Sequence, residues 1–163
     1  MIVIKIINRI ICLISKIIYK ILYGQNFSIG SRVHWRSGFK VMMAKKARIK
    51  IGRDCFFNNY CSLNSLGSIS IGDGTLFGEN VRVYDHNHVF RDKNKPIKDQ
   101  GFKIGKVAIG KHCWICSNVT ILKGTEIGDN CVIGAGVVVS GTIPDNTIVK
   151  NCNGNYVYEI MEV

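Results

Sequence analysis

The chain has 163 residues, 47% of them hydrophobic and 20% charged, with a net charge of +11. That length suits one domain with its own core, and two prolines with no low-complexity stretch exclude a disordered or Pro-rich chain. The charge is one-sided: residues 1–53 hold twelve Lys/Arg and no Asp or Glu, while the remainder nets −1, so a polyanion or an anionic membrane surface is expected at that end.

Residues 1–22, "MIVIKIINRIICLISKIIYKIL", come first. At 100° per residue, Lys5, Asn8, Arg9, Ser15, Lys16, Tyr19 and Lys20 fall within an arc of about 140°. Isoleucine, leucine and valine fill the rest. This predicts a basic amphipathic helix over 1–23. Its charges interrupt every uncharged run short of a bilayer span, and it lacks the layout of a signal peptide. The expected role is to lie on anionic lipid; packing on its own domain or on a sister subunit is the alternative. No nucleic-acid partner is expected, because aromatic residues do not interleave with the basic ones and no binding motif occurs.

From Ile51 an aliphatic residue recurs every six positions: "IGRDCF" (51–56), "FNNYCS" (57–62), then, after a two-residue slip, "IGDGTL" (71–76) and "FGENVR" (77–82). The frame resumes unbroken over 109–138 as "IGKHCW", "ICSNVT", "ILKGTE", "IGDNCV", "IGAGVV". Earlier, "IGSRVH" (29–34) fits less well. Six is not a helical period. Each hexapeptide reads as a short strand plus a corner, three make one triangular coil, and stacked coils bury what one coil cannot. The chain therefore predicts an all-β parallel β-helix over 24–150, with a C-terminal tail at 151–163. Cys55, Cys61, Cys113 and Cys131 take the small fifth position and are expected as core residues. "CWIC" (113–116) invites a redox or zinc reading, but the frame points its two thiols apart. Seven cysteines, an odd number, fit a reduced, cytoplasmic setting.

Between Val83 and Ile109 the frame is broken, which predicts a projecting loop over 84–108, and a loop of that length is usually functional. It opens with "VYDHNHVFRD" (83–92).

The hexapeptides resemble the left-handed β-helix acyltransferases, whose rule is roughly [LIV]-G-x-x-[STAV]-x. Within these the chain resembles the branch of galactoside, maltose, virginiamycin-type and polysaccharide O-acetyltransferases. "IGDGTLFGENVRV" with its His-containing loop and "IGKHCWICSNVTILKGTEIGDNCVIGAGVVVSGTIPDN" carry the likeness, which covers about residues 29–150. The resemblance implies a left-handed coil, a homotrimer, and acetyl-CoA as acyl-donor co-substrate without a metal. The acceptor would be a sugar hydroxyl of a surface polysaccharide or its lipid-linked precursor, met at the inner face of the cell membrane. The family pattern N-V-x-[ILV]-x-x-x-x-H, started at Asn80, puts the general base at His88, with His86 second. Imidazole suits the task because its ordinary pKa lies near working pH. Relatives follow the base with proline; here Val89 stands there. Asp85 is expected either to orient an imidazole, to touch substrate or to form a turn. Asn58 matches an acceptor-binding asparagine, Trp114 a tryptophan beside the thioester, and Ser117 a backbone N–H near the acyl carbonyl. Ala135 and Ser140 match positions lining the pantetheine groove. Gly141 and "NCNGNY" (151–156) replace residues that meet the nucleotide end of CoA in relatives, which leaves Lys123 or Lys150 as possible substitutes.

Other readings compete. One is a nucleotide-sugar or other small-molecule acetyltransferase. A second is a zinc enzyme like the gamma-type carbonic anhydrases, using His86, His88 and His112, although the H-N-H spacing is expected to point the first two apart. A third is a membrane scaffold without catalysis.

Overall fold

The computed structural model of the chain describes residues 2–152 and 155–161. A helix, α1 (Ile2–Tyr23), is followed by six coils of parallel strands. The first holds β1 (Phe27–Ile29), β2 (His34–Trp35) and β3 (Lys40–Met43). The second holds β4 (Arg48–Ile51), β5 (Phe56–Phe57) and β6 (Ser62–Ser65), and the third β7 (Ser68–Ile71), β8 (Leu76–Phe77) and β9 (Arg82–Tyr84). There the chain leaves the coil as a hairpin, β10 (His86–His88) with β11 (Phe102–Ile104). It returns with β12 (Lys106–Ile109), β13 (Trp114–Ile115) and β14 (Thr120–Ile121), then β15 (Glu126–Ile127), β16 (Val132–Ile133) and β17 (Val138–Val139). The last coil has β18 (Thr142–Ile143) and β19 (Thr147–Cys152), the latter paired antiparallel with β20 (Asn155–Ile160).

The result is a three-faced, left-handed parallel β-helix. One face stacks β1-β4-β7-β12-β15-β18, the second β2-β5-β8-β13-β16-β19-β20, the third β3-β6-β9-β14-β17. The hexapeptide dictates this. Its aliphatic residue points inward, as with Ile109, Ile115, Ile121, Ile127 and Ile133, all at most 4% exposed. The fourth place takes positive φ at corner after corner: Asp54, Tyr60, Gly74, Asn80, His112, Asn118, Gly124, Asn130, Gly136.

The fifth place does more than stay small. Cys55 Sγ donates to the Gly72 carbonyl (3.1 Å), Cys61 to Gly78 (3.1 Å), Cys113 to Gly128 (3.1 Å) and Cys131 to Pro144 (3.0 Å), and Thr75 Oγ1 donates to Gly110 (2.9 Å). Each side chain satisfies a corner carbonyl of the next coil, which explains a preference for Cys and Thr. Burial pushes the Cys61 and Cys113 thiols up to about 11, so both stay protonated donors at neutral pH. The Asp at the third place, in "IGD" (71–73 and 127–129) and "IPD" (143–145), does the converse: Asp73, Asp129 and Asp145 accept the backbone N–H of Arg53, Lys111 and Asp129 in the coil before (2.7 Å each).

Corner glycines let adjacent coils approach. A Cβ on Gly72 would lie 2.6 Å from the Gly110 carbonyl carbon and oxygen. Gly72→Ala is therefore expected to lower stability by about 1–3 kcal/mol, as overpacking does. Urea denaturation should show a lower midpoint at unchanged slope.

Several expectations shift. The coil begins at Phe27, a full turn before the regular frame. Val33, Trp35, Phe39 and Val41 fill its core, and the aromatics among them hide the aliphatic repeat. The slip after Leu63 is absorbed by longer strands, β6 and β7, around the Leu66–Gly67 corner. The excursion is a hairpin that rejoins the coil at Lys106, and its strands are ordered by mutual pairing. Part of the tail over 151–163 pairs with β19 as β20; the stretch 151–156 lies partly outside the described residues.

The helix crosses the open end of the first coil. Tyr19 Oη donates to the Phe39 carbonyl and Tyr23 Oη to Val41 (3.0 Å each). Trp35 Nε1 donates to Ser15 Oγ (2.8 Å), and Ser37 Oγ to Asn8 Oδ1 (2.9 Å). Below this cap, rings stack along the axis: Trp35 on Phe39 at 4.5 Å, Phe39 against Phe57 at 4.9 Å and Phe57 on Phe77 at 4.4 Å. The helix thus packs through the polar arc seen in the sequence. Among the described residues no helix is long and apolar enough to cross a membrane.

Candidate active site

The hairpin leaves the coil at the corner between the third and first faces. Asp85 sits at that exit and is 0% exposed. Its Oδ2 accepts from Ser65 Oγ (2.6 Å) and the Gly67 N–H (2.9 Å); its Oδ1 accepts from the Leu66 N–H (2.8 Å) and faces His86 Nδ1 (3.0 Å). Four partners therefore hold one buried carboxylate. An ionised carboxylate only accepts, so a neutral His86 facing it would carry its hydrogen on Nδ1 and its lone pair on Nε2. Asp85, expected from sequence to orient an imidazole, to touch substrate or to form a turn, has both oxygens engaged within the chain.

His86 is mostly covered, with Phe102 packed edge-on at 5.4 Å and Tyr84 edge-on at 6.4 Å. His88 is exposed and leans on the same Phe102 ring at 4.4 Å. Because β10 is a strand, residues two apart share a side; the expectation that the histidines diverge is corrected. Both line one cleft with Tyr84, Phe90, Ile97 and Leu122. Beside it, His88, Arg91, Lys103 and Lys123 surround a second cleft, which makes a basic surface next to the imidazoles. Lys123 was a candidate from sequence. Lys103 and Arg91 were not, since only the hairpin pairing brings Lys103 opposite Asn87. Ser65 and Phe102 were missed for the same reason: they meet Asp85 and His86 through the fold, not through spacing. Lys150 pairs with Glu159 at 2.7 Å.

The other expected positions lie elsewhere on the prism. Trp114 stands on the second face, 54% exposed, between Leu76 and Val132 in register. Asn58, Ser117 and Ala135 belong to the corner between the second and third faces. Asn58 Oδ1 accepts from Arg36 (3.1 Å), Ser117 Oγ accepts from the Glu79 N–H (3.0 Å), and Ala135 is exposed. Ser140 follows β17 on the same corner column as the histidines and is exposed. Within one chain the histidines thus occupy one corner, and Asn58, Trp114, Ser117 and Ala135 lie beyond the third face.

His112 is a corner residue with φ of 55°, its ring against Gly74 between the first and second faces. It sits at a different corner from His86 and His88. No group of three metal-ligating side chains occurs among the described residues. Cys113 is buried while Cys116 is only partly covered, and both are free thiols.

Comparison with known proteins gives the same direction. The family model for bacterial transferase hexapeptides, six repeats, matches residues 106–141. A putative lipopolysaccharide biosynthesis O-acetyl transferase, WbbJ of Escherichia coli K12, is 32% identical over 134 residues, 78% of this chain and 65% of that one. The solved maltose O-acetyltransferase of Clostridium difficile 630 superposes with a TM-score of 0.67 at 28% identity, covering 88% of this chain and 75% of that one. A galactoside acetyltransferase solved in complex with coenzyme A gives a TM-score of 0.66 at 26% identity, over 87% and 70%. The chain spans from about a third to just under two thirds of the length of the first curated relatives it matches.

Proposed function

We propose, from the premise that this chain belongs to the hexapeptide-repeat acyltransferase family, that it transfers an acetyl group from acetyl-CoA to a sugar hydroxyl. The observation that carries this reading is the buried Asp85 carboxylate holding Nδ1 of His86 where the hairpin leaves the coil. A sugar hydroxyl is a poor nucleophile until its proton is removed. His86 Nε2 takes that proton as the oxygen attacks the thioester carbonyl. The tetrahedral intermediate collapses, the C–S bond breaks, and the imidazolium returns the proton to the departing thiolate. Asp85 fixes the tautomer and ring, as a carboxylate does behind other catalytic imidazoles. The spacing argument put His88 first; the geometry gives His86 the held ring, and we order them His86, then His88. The basic cleft of Arg91, Lys103 and Lys123 suits the phosphates of CoA or of an activated sugar.

A trimer belongs to this reading. Of the positions expected to meet acyl donor and acceptor, only Ser140 shares the histidine corner; Asn58, Ser117 and Ala135 lie on the next corner and Trp114 on the second face. Neighbouring copies would bring one set against the other. The acceptor we place on a lipid-linked precursor of a surface polysaccharide at the inner face of the cell membrane, a class in keeping with the name of the Escherichia coli relative.

Acetyl-CoA turnover against a panel of polysaccharide repeat units and nucleotide sugars tests the proposal. At least one sugar should accelerate thiol release well above buffer hydrolysis. No acceleration by any sugar, together with no acetyl-CoA binding by calorimetry, would sink it.

A further inference from the structure

An amphipathic helix normally turns its apolar side to its own core. Here the reverse holds. Asn8, Cys12, Ser15, Lys16, Tyr19 and Tyr23 lie on one side and close the end of the coil; Lys16 Nζ donates to the Val33 carbonyl and sits 5.5 Å over the Trp35 ring. The opposite side is a stripe of Ile10, Ile14, Ile17 and Ile21, from 51% to 77% exposed, flanked by exposed Val3, Ile7, Leu13 and Ile18. The helix of 22 residues spans about 33 Å at 1.5 Å per residue, and the stripe from Ile10 to Ile21 takes up about half of that length. An apolar surface this continuous marks an interface.

We infer that this isoleucine face seats in the headgroup–acyl boundary of an anionic bilayer, with the β-helix axis standing away from the surface. Charge complementarity selects lipid over a second copy. Exposed cations accompany the face: Arg9 and Lys20 on the helix, and Arg36, Lys40, Lys45 and Lys46 in the first coil and its corner. No acidic residue occurs before Asp54. His34, on β2 of this coil beside the helix, feels the field: partial burial first, then the Lys16 and Arg9 charges, hold its imidazole below the ordinary value. Two such ends meeting face to face would bring like charges together, whereas anionic headgroups pair with them. A helix that buries its polar side in protein and offers a charge-flanked apolar side fits a peripheral seat. The histidine corner then stands two to three coils above the helix, about 10–15 Å at the spacing of neighbouring strands. That places the cleft within reach of a sugar carried on lipid.

The inference does not depend on acetyl transfer, and its test is separate. The full chain is sedimented with phosphatidylcholine vesicles, with and without phosphatidylglycerol. Binding is expected only with the anionic lipid. Ile10→Gln/Ile14→Gln/Ile17→Gln should weaken it at least about tenfold, since three apolar side chains leave the acyl boundary. Arg9→Gln/Lys20→Gln should weaken it about fivefold per cation removed. These side chains point outward, so circular dichroism and turnover of a soluble acceptor should not change. The inference is overturned if the full chain stays in the supernatant with anionic vesicles, or if the triple variant sediments as before. It is equally overturned if that variant only lowers the oligomeric state in sedimentation velocity, which would assign the face to a second copy.

Discussion

His86→Ala is expected to lower kcat for acetyl transfer by about 10²- to 10⁴-fold, the usual weight of a positioned general base. The fold should survive, because the ring lies outside the coil interior, between Tyr84 at the end of β9 and Phe102 of the hairpin. KM for acetyl-CoA should change little, since proton removal belongs to the transition state. His88→Ala is the discriminating partner. His88 shares the cleft but makes no hydrogen bond to Asp85, so its loss is expected to cost about tenfold or less, through contact with substrate. Steady-state kinetics of both variants decides the order. If His88→Ala is the dead enzyme and His86→Ala is nearly normal, the base is the one that family spacing from Asn80 picks out, and the Asp85 contact is structural.

The fold was legible wherever the hexapeptide was strict. Over 109–139 each first-position aliphatic residue faces inward as its frame requires, and Cys113 and Cys131 take the fifth-position sites that the frame assigns. The first coil was hidden because its interior is built from Trp35 stacked on Phe39, which in turn packs against Phe57, rather than from a repeated aliphatic residue. The helix was legible as amphipathic, but its orientation was not. Hydropathy alone says that the isoleucine side is the one to bury. What reverses it is local: Tyr19, Tyr23, Ser15 and Asn8 find carbonyls, an indole N–H and a serine hydroxyl at the open end of the coil, where unpaired backbone must be satisfied.

The site was half legible. A broken frame located it, and "DHNH" supplied its titratable groups. Counting positions cannot tell which imidazole is held. That depends on Ser65, Leu66 and Gly67, 18 to 20 residues earlier in the chain, which one turn of the coil brings beneath Asp85. It depends also on Phe102, which the hairpin places opposite His88. A coil periodicity defines who stacks on whom only after the slip between Leu63 and Ile71 has been resolved, and the slip falls at this corner.

Asp85→Ala carries the second large expectation, in stability as well as rate. Removing the carboxylate leaves the buried Ser65 hydroxyl and the partly buried Leu66 and Gly67 N–H groups without their acceptor. At about 1–3 kcal/mol per stranded buried donor, partly relieved by relaxation, the loss should be about 3–5 kcal/mol. Urea unfolding should show it as a lower midpoint. Ser65→Ala separates the two roles. It removes one donor and leaves the Asp85–His86 contact, so it should cost about 1–2 kcal/mol with kcat nearly intact. Asp85→Asn lowers stability too, since in either orientation its amide nitrogen meets a backbone N–H, of Leu66 or of Gly67, but its larger effect is on rate. With its amide turned toward His86, Nδ1 must accept, the hydrogen moves to Nε2, and the base is lost. Turned the other way, the amide faces the Gly67 N–H and the coil corner is strained. The expected result is a kcat lowered by about 10²-fold or more at unchanged KM for acetyl-CoA. A purely structural Asp85 would instead give Asp85→Asn and Ser65→Ala the same profile, stability reduced and kcat preserved.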